Sequence, residues 1–365
     1  MVVQLMLLIA VVLLGLWAIN NARTNLNSRH VGSGFDFLLD PAGFGISESL
    51  IPYQYGDSYL RAFLAGIVNT LRAAIPAIFA STVIGFFLGI AAVSRNPLVS
   101  AIARIYVDIV RNLPLLVQVL LWYFSLTELL PDGSHPIHFR SFFFLSKEGL
   151  SLPLPVGNLS FVMALFVTLA GLVCAVLLSW RYPLSKKRVW LGILALTIIV
   201  LYLVPVVSGT PYQVVYPEPG AYAIEGPMAL SPEYVAIVGA LTAYSAAYFS
   251  EIVRAGIEAV PRGQWEGAHA LSLSRSQTLS RVVLPQALPV IVPPYISLFV
   301  NTIKNSSLAV AIGYPDIVSV TTTAMNQNGR AIECISIIAA VYLTLSLLTS
   351  VAMNAYNRRI AIKER

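Results

Sequence analysis

Long apolar runs separated by short polar segments dominate the chain. Runs of about 20 residues suffice to cross a bilayer core of about 30 Å as helices. Eight runs of about this length are predicted as membrane spans, at residues 1–19, 64–93, 113–130, 156–179, 189–207, 233–253, 284–303 and 332–352. The pattern therefore predicts an all-α fold, a polytopic transmembrane helix bundle of about eight spans.

The first run, residues 1–19, is predicted to be a retained transmembrane anchor. It is apolar except for Gln4, whereas a cleaved signal peptide has a basic start and a shorter apolar region. The polar stretch after it carries six aromatic side chains: Phe35, Phe37, Phe44, Tyr53, Tyr55 and Tyr59. We expect this stretch to lie at the membrane interface, where aromatic side chains rest near headgroups.

The composition agrees with a membrane protein, since 57% of residues are hydrophobic and only 11% are charged. Ordinary soluble domains carry about 25% charged residues. The net charge of +6 could suggest nucleic acid, but the charges punctuate apolar runs, so membrane orientation explains them better. Cys174 and Cys334 lie inside apolar runs without a CxxC partner, and we interpret them as free thiols.

Positive charge is distributed unequally between the two sides of the predicted bundle. With the N-terminus inside, fifteen basic residues fall on the inner side: Arg95, Arg104, Arg111, Arg181, Lys186, Lys187, Arg188, Arg254, Arg262, Arg275, Arg281, Arg358, Arg359, Lys363 and Arg365. Five fall outside: Arg23, Arg29, Arg61, Arg140 and Lys147. The positive-inside rule then predicts that both termini are cytoplasmic.

A polar interruption at residues 261–285 carries the most informative local pattern. Trp265, Ala268 and Leu271 are spaced three apart and are predicted to share one helix face. Ser274-Arg-Ser-Gln277 has the form of a capping box, which predicts a second helix start. The segment could be an ordinary solvated loop, or two short helices that present a surface to a soluble partner.

This interruption resembles the EAA motif of membrane-spanning subunits of bacterial ABC importers. The motif reads E-A-A, three residues, G, nine residues, I-x-L-P, and Glu266-Gly-Ala268, Ser272 and Val282-Val-Leu284-Pro285 follow that spacing. Gly267 replaces the second residue of E-A-A, and Ser272 replaces the glycine of the motif, which permits backbone dihedrals that serine rarely adopts. Flanking segments are similar to the polar amino acid subgroup, at Asn69-Thr70, Arg111–Leu115, Ser250–Gly256, Leu284–Ala287 and Lys304–Tyr314.

The resemblance implies a type I ABC importer permease core of five spans, split by an insertion. The implied organisation is an N-terminal anchor and periplasmic segment (1–62), the first part of the core (63–130), an insertion with two extra spans (131–231), the second part of the core with the coupling loop (232–355), and a cytoplasmic tail (356–365). Such a split core looks like one of the paired permeases of broad-range importers of general L-amino acid or glutamate-glutamine-aspartate type.

The resemblance also implies partners. The chain contains no G-x-x-x-x-G-K-[ST] sequence, so ATP and Mg are expected on a separate ATPase dimer and no cofactor in this chain. A second homologous permease and a periplasmic amino-acid-binding protein are the other expected partners, besides the lipid bilayer and without nucleic acid. The residues expected to couple to the ATPase are Arg262, Trp265, Glu266, Gly267, Ala268, Leu271 and Ser272. Glu266 could pair with a partner cation, or accept a hydrogen bond from a nearby backbone N–H or from Arg281 within the subunit.

A second polar cluster follows the span at residues 284–303. Polar and ionisable groups at membrane depth are costly and suggest function. The residues predicted to line a substrate path or gate are therefore Asn301, Lys304, Asn305, Ser306 and Ser307, with Asn69 and Arg72 as further candidates. The alternative is that Lys304 extends to the headgroups while its neighbours satisfy a broken helix end. Glu251 and Arg254, one turn apart, predict a structural ion pair.

No enzymatic chemistry is predicted. The chain lacks HExxH and GxSxG, and its four histidines form no convincing ligand set, so no catalytic or metal residue is assigned. The expected function is that of a permease subunit for polar L-amino acids in the bacterial inner membrane, working by alternating access with ATP hydrolysed elsewhere. The alternative is a self-sufficient secondary transporter or channel, which the lack of an evident inverted repeat disfavours.

Overall fold

A computed structural model describes residues 2–28, 34–139, 142–156, 213–220, 224–226 and 228–360. The chain divides into two compact units, one of Met1–Tyr123 with Ala236–Arg365 and one of Phe124–Val235. The α-helices of the described ranges are α1 (Val2–Ser28), α2 (Tyr59–Ala92), α3 (Pro97–Asn112), α4 (Leu115–Leu129), α5 (Pro232–Glu258), α6 (Arg262–Ala270), α7 (Arg275–Thr278), α8 (Leu284–Asn305), α9 (Ile317–Asn328) and α10 (Ala331–Ile360).

Four helical stretches in the described ranges are long and apolar enough to cross a membrane: Tyr59–Ala92, Pro232–Glu258, Arg275–Ile312 and Ala331–Val351. Each coincides with one of the predicted spans to within one residue or encloses it. Helices α3 and α4 are long and apolar enough to cross a membrane only when they are taken together, and they meet at a bend of 104°. In α1 the apolar part is the shorter stretch Gln4–Trp17. The predicted spans at 156–179 and 189–207 fall on residues 157–212, outside the described ranges.

Small residues bring α2 and α5 into close contact. A Cβ added at Gly89 would lie 2.6 Å from Val253 Cβ and 2.7 Å from the Ser250 carbonyl oxygen. At Gly85, one turn earlier, it would lie 2.7 Å from the Ala246 carbonyl oxygen. Glycines four apart permit this approach of two helix backbones, as in other membrane helix pairs.

Part of the aromatic stretch before α2 belongs to the protein core, and its position at the membrane interface stays a prediction. Phe37 and Phe44 are buried, and with Tyr59 they pack against Phe63 of α2 and Ile317 of α9. Phe35 and Tyr55 are exposed, as a position near headgroups would require. The sequence alone could not separate the two groups, because burial here depends on α9, which lies more than 250 residues away along the chain.

The second unit contains β-structure, which corrects the all-α expectation for residues predicted as loops. Its strands are β1 (Ile137–Phe139), β2 (Phe143–Ser146), β3 (Gly149–Leu152), β4 (Leu154–Val156), β5 (Gln213–Val215), β6 (Glu218–Pro219), β7 (Ile224–Glu225) and β8 (Met228–Leu230). An antiparallel sheet has the order β1-β2-β3-β8, and β4-β5 and β6-β7 form separate pairs. Side chains of β2 alternate between half-buried and buried positions, the period of a one-sided strand.

Candidate functional site

Helix α6 forms directly after Pro261, as the sequence predicts. Its inner face consists of Trp265, which is half-buried, and Ala268, which is buried. Trp265 packs against the apolar cluster that includes Val260 of the preceding loop and Val283 before α8. The polar interruption therefore folds as helix anchored on the bundle, rather than as a solvated loop.

The outer face of α6 is exposed and carries Arg262, Glu266 and Gly267. Within the described ranges the Glu266 carboxylate makes no hydrogen bond or ion pair, so the predicted alternative of an internal pairing with Arg281 is not realised there. Leu271 was predicted to share one helix face with Trp265 and Ala268, but Leu271 is 75% exposed whereas Ala268 is buried. The helix ends at Ala270, so the three-residue spacing no longer applies at Leu271.

The end of α6 is a Schellman motif closed by an unusual residue. The Leu273 N–H donates to the Ala268 carbonyl (3.1 Å) and the Ser272 N–H to the His269 carbonyl (2.9 Å). Glycine usually occupies the position of Ser272 in this motif, because its backbone is left-handed. Ser272 has φ 54°, the one positive value at a non-glycine residue among the described residues.

The predicted capping box is confirmed. The Ser274 N–H donates to Gln277 Oε1 (2.9 Å), and the Gln277 N–H donates to Ser274 Oγ (3.4 Å). Helix α7 then continues through a π-helical turn, Leu279–Val283, directly into α8. The predicted span at residues 284–303 therefore does not begin a new helix. The wider π-helical turn accommodates Pro285, which lacks the N–H that an unbroken α-helix uses.

Two polar bonds connect this segment to the spans. The Arg275 guanidinium donates to the Val93 carbonyl oxygen at the end of α2 (2.6 Å). Gln286 Nε2 of α8 donates to Gln264 Oε1 of α6 (3.1 Å). With the packing of Trp265, these bonds hold the α6–α7 segment against α2 and α8.

A cavity of about 540 Å³ lies beside α6. Its charged and titratable lining residues come from several elements: Arg95, Arg104, Glu258, Arg262, His269 and Arg275. Arg104 also donates to the Ala92 carbonyl oxygen (3.2 Å), and Ser100 Oγ donates to the same oxygen (2.8 Å). Cations at this place offset the negative end of the α2 dipole.

A network of charged side chains occupies the inner end of α5. Arg254 Nε donates to Glu251 Oε2 (3.0 Å), which confirms the predicted ion pair, and Arg254 also binds Glu258 (2.6 Å). Arg111 lies 4.0 Å from Glu251 and 5.1 Å from the ring centroid of Tyr248. The sequence predicted the pair but not its connection to Arg111, which is 140 residues distant in sequence.

This network borders a second cavity of about 420 Å³. Polar groups on its walls are Arg111, Tyr248, Glu251, Ser297 and Asn301. Asn301 and Ser297 come from the exposed face of α8, one turn apart. The cavity therefore brings one predicted path residue, Asn301, together with a cation and a carboxylate.

The other predicted path residues lie elsewhere. Lys304 is exposed one turn beyond Asn301, whereas Asn305 and Ser307 are half-buried. Ser306 is buried and its hydroxyl donates to the Ile303 carbonyl (2.7 Å) at the start of a 3-10 helix, Ser306–Ile312. This last bond fits the predicted satisfaction of a helix end by serine.

Asn69 and Arg72 hold together elements around the start of α2. Asn69 is fully buried, and its amide donates to the carbonyl oxygens of Glu48 (2.7 Å) and Pro315 (3.0 Å). Arg72 forms an ion pair with Glu48 (2.6 Å). Both side chains are occupied by contacts within the chain, and the structure does not place them on the cavity that Asn301 lines.

Asp316, which the sequence did not single out, lies in the connection between the Arg275–Ile312 span and α9. It is fully buried and caps α9, since its Oδ1 accepts from the Ser319 N–H (2.8 Å). Burial raises the pKa of Asp316 to about 7 from its ordinary 3.8, although the bond from Ser319 acts to lower it. Tyr342 donates a long bond (3.4 Å) to the other carboxylate oxygen.

The comparisons agree with this architecture. Residues 168–362 match the model of the family described as binding-protein-dependent transport system inner membrane component. Similarity extends over almost the whole chain to an Escherichia coli protein described as the putative amino-acid ABC transporter permease YhdX, at 42% identity over 99% of this chain and 94% of that protein. The chain belongs to this family of amino-acid ABC transporter permeases.

Two further relatives of the permease have similar coverage. The general L-amino acid transport system permease protein AapQ of Rhizobium johnstonii is 38% identical over 98% of this chain and 92% of that protein. BztB of Rhodobacter capsulatus, a glutamate/glutamine/aspartate/asparagine transport system permease, is 34% identical over 96% and 90%. Because these relatives are transport subunits, the permease is a non-enzymatic membrane component.

The fold is also that of a solved permease. A crystal structure of an amino acid ABC transporter with histidines aligns with a TM-score of 0.50 at 21% identity, over 82% of this chain and 95% of that chain. This likeness concerns the fold alone. The sequence resemblance that the EAA spacing indicated is thus confirmed at the level of the family.

Proposed function

We propose that this permease moves polar L-amino acids across the bacterial inner membrane by alternating access, driven by ATP that a separate ATPase subunit hydrolyses. The observation that carries the proposal is helix α6. It turns an exposed carboxylate, Glu266, outward, while its inner face is fixed to the spans by Trp265 and by the Gln264–Gln286 bond. A helix exposed on one side and anchored on the other is suited to transmit a partner's motion.

In the proposed mechanism, closure of the ATPase dimer on ATP displaces α6. The coupling residues would be Arg262, Trp265, Glu266, Gly267, Ala268, Leu271 and Ser272, with Glu266 binding a cation of the ATPase. Arg275 would carry the displacement to α2 through its bond to Val93. The continuous helical stretch Arg275–Ile312 would carry it to the cavity that Asn301 lines.

The substrate class is proposed from the relatives and supported by the cavity. AapQ and BztB are named for L-amino acids in general and for glutamate, glutamine, aspartate and asparagine. An amino acid carries a carboxylate on its backbone, for which the cavity offers a cation, Arg111. The Glu251 carboxylate in the same cavity is already bonded to Arg254 through both oxygens. Asn301 would bind the substrate there. Lys304, Asn305, Ser306 and Ser307, with Asn69 and Arg72, remain the proposed gate or path residues.

The proposed assembly comprises the permease, a second homologous permease, an ABC ATPase dimer that binds ATP and Mg, and a periplasmic amino-acid-binding protein. Both termini would be cytoplasmic, which puts α6 on the ATPase side. Residues 131–231 would be an insertion into a five-span type I core. This organisation agrees with the excess of basic residues on the inner side.

The test is ATP-driven uptake by the reconstituted complex. Glu266→Arg reverses the charge on the outer face of α6 and is expected to abolish uptake, because the permease no longer holds the ATPase, while the separated ATPase still hydrolyses ATP. Asp108→Arg is the matched control, because Asp108 is also exposed on the neighbouring helix α3. Uptake by Glu266→Arg at the level of the control would contradict the coupling role. Uptake driven by an ion gradient without ATP would support the alternative of a secondary transporter.

A further inference from the structure

Helix α3 presents an apolar stripe that faces away from the protein. Leu98, Ile102, Ile105 and Ile109 are 66%, 60%, 56% and 57% exposed. Their spacing of four, three and four residues places them on one side of the helix. Such a continuous row of exposed branched side chains is costly in water and requires an apolar environment.

The other sides of α3 are built differently. Ser100, Ala103 and Val107 are buried and form the packed side. Arg104 and Asp108 are exposed on a polar side that flanks the stripe, and Arg104 lies about 100° from Ile105 around the helix axis. The helix is thus amphipathic, with one side on the protein, one side apolar and one side charged.

The orientation of α3 follows from its neighbour. Helices α3 and α4 meet at 104°. If α4 crosses the bilayer close to its normal, the axis of α3 lies within about 14° of the membrane plane. That is about 76° from the normal, far beyond the tilt of about 0–40° that spanning helices show. Helix α3 also includes Arg104, Asp108 and Arg111, which are costly at membrane depth.

The exposed apolar surface of α3 adjoins that of α2, a helix long and apolar enough to cross a membrane. Phe87 of the spanning helix α2 is 65% exposed, and it lines a cavity of about 260 Å³ together with Val99 of α3. Arg95, exposed just before α3, and Arg104 supply positive charge beside the stripe, as phosphate headgroups require. Both arginines also line the cavity beside α6, so α3 and α6 lie on the same side.

We propose that α3 is an interfacial helix that binds the surface of the bilayer, in the leaflet on the side of α6. Its apolar stripe enters the boundary between headgroups and acyl chains, and its polar side faces water. The occupant of the stripe is phospholipid, neither a partner chain nor the interior of a span. This helix would fix the depth at which α2 leaves the membrane, next to the carbonyl oxygens that Arg104 and Arg275 bind.

The test uses spin labels on the full chain, purified with its accompanying subunits and reconstituted in nanodiscs of phosphatidylethanolamine and phosphatidylglycerol. Cys174→Ser and Cys334→Ser remove the natural thiols, and Ile102→Cys, Ile105→Cys or Asp108→Cys introduces one label. Power saturation with oxygen and with a water-soluble nickel chelate is expected to place labels 102 and 105 about 5–10 Å below the phosphates. Label 108 is expected to be more accessible to nickel than to oxygen.

Three outcomes would overturn the proposal. Labels 102 and 105 more accessible to nickel than to oxygen would put the stripe in water. Inaccessibility of both to either agent would indicate a protein partner, and oxygen accessibility of label 108 equal to that of 102 would put α3 inside the membrane. If the thiol-free chain fails to assemble, benzoylphenylalanine at position 102 of the otherwise natural chain gives the same decision. Lipid adducts upon irradiation are expected, and protein adducts alone would refute the proposal.

Discussion

The left-handed backbone of Ser272 gives a prediction whose magnitude can be worked from the structure. At φ 54° the Cβ of Ser272 is crowded by its own backbone, which costs a residue with a side chain about 1–2 kcal/mol. Glycine removes that cost, but its greater freedom in the opened state offsets roughly 0.4–1 kcal/mol. Ser272→Gly should therefore stabilise the end of α6 by about 1 kcal/mol, or about fivefold in the local opening constant.

The assay is hydrogen exchange followed by mass spectrometry, on peptides that contain residues 268–278. The amides of Ser272 and Leu273, which close the Schellman motif, should exchange about fivefold more slowly in Ser272→Gly. Ser272→Ala should change exchange little, because it keeps the Cβ. Ser276→Gly is the matched control of opposite sign, because Ser276 lies in helix α7, where glycine is unfavourable.

Exchange that is unchanged or faster in Ser272→Gly would refute this reasoning. So would equal effects of glycine at positions 272 and 276, since the argument depends on backbone conformation and not on the loss of a hydroxyl. The same variant restores the glycine of the EAA pattern. Its effect on uptake can be measured in parallel, to separate the rigidity of α6 from its contacts with a partner.

Three further predictions concern other parts of the molecule. Gly89→Ala should destabilise by roughly 1–3 kcal/mol in thermal unfolding, because its Cβ would meet Val253 at 2.6 Å, whereas Gly263→Ala in open space should be neutral or stabilising. Arg275→Gln removes the 2.6 Å bond to the end of α2 and should increase hydrogen exchange across α6 and α7, with unchanged exchange in α10 as the internal control. The pKa of Asp316 is about 7 in the folded state and about 3.8 in the unfolded state. The free energy of unfolding should therefore fall as the pH rises from about 4 to about 7 and stay level above that. Asp316→Asn, which keeps the cap on α9, should remove this pH dependence.

Features with a local cause were predictable from the sequence. The capping box at Ser274 depends on residues three apart, and the Glu251–Arg254 pair depends on one helical turn, so both are confirmed. The apolar runs that became α2, α5, α8 and α10 required only length and hydrophobicity. The EAA spacing likewise depends on a short stretch, and it led to the family that the comparisons show.

Features that depend on distant contacts were not predictable in this way. Phe37 and Phe44 match an interfacial pattern in sequence, yet α9 covers them. Leu271 has the spacing of an inner residue, but the helix ends before it because the chain reverses at Ser272. Arg111 meets Glu251 only through the packing of α3 beside α5, so the cavity that they share has no local signature.

The central claim is that α6 of this permease couples to an ATPase in a larger assembly. The most direct measurement is purification of the chain from its native membrane in mild detergent, followed by mass spectrometry of the accompanying proteins, for the natural chain and for Glu266→Arg. We predict that the natural chain brings an ABC ATPase and a second, similar permease, and that Glu266→Arg keeps the second permease but loses the ATPase. A natural chain that is recovered folded and alone, or a variant that retains the ATPase fully, would contradict it.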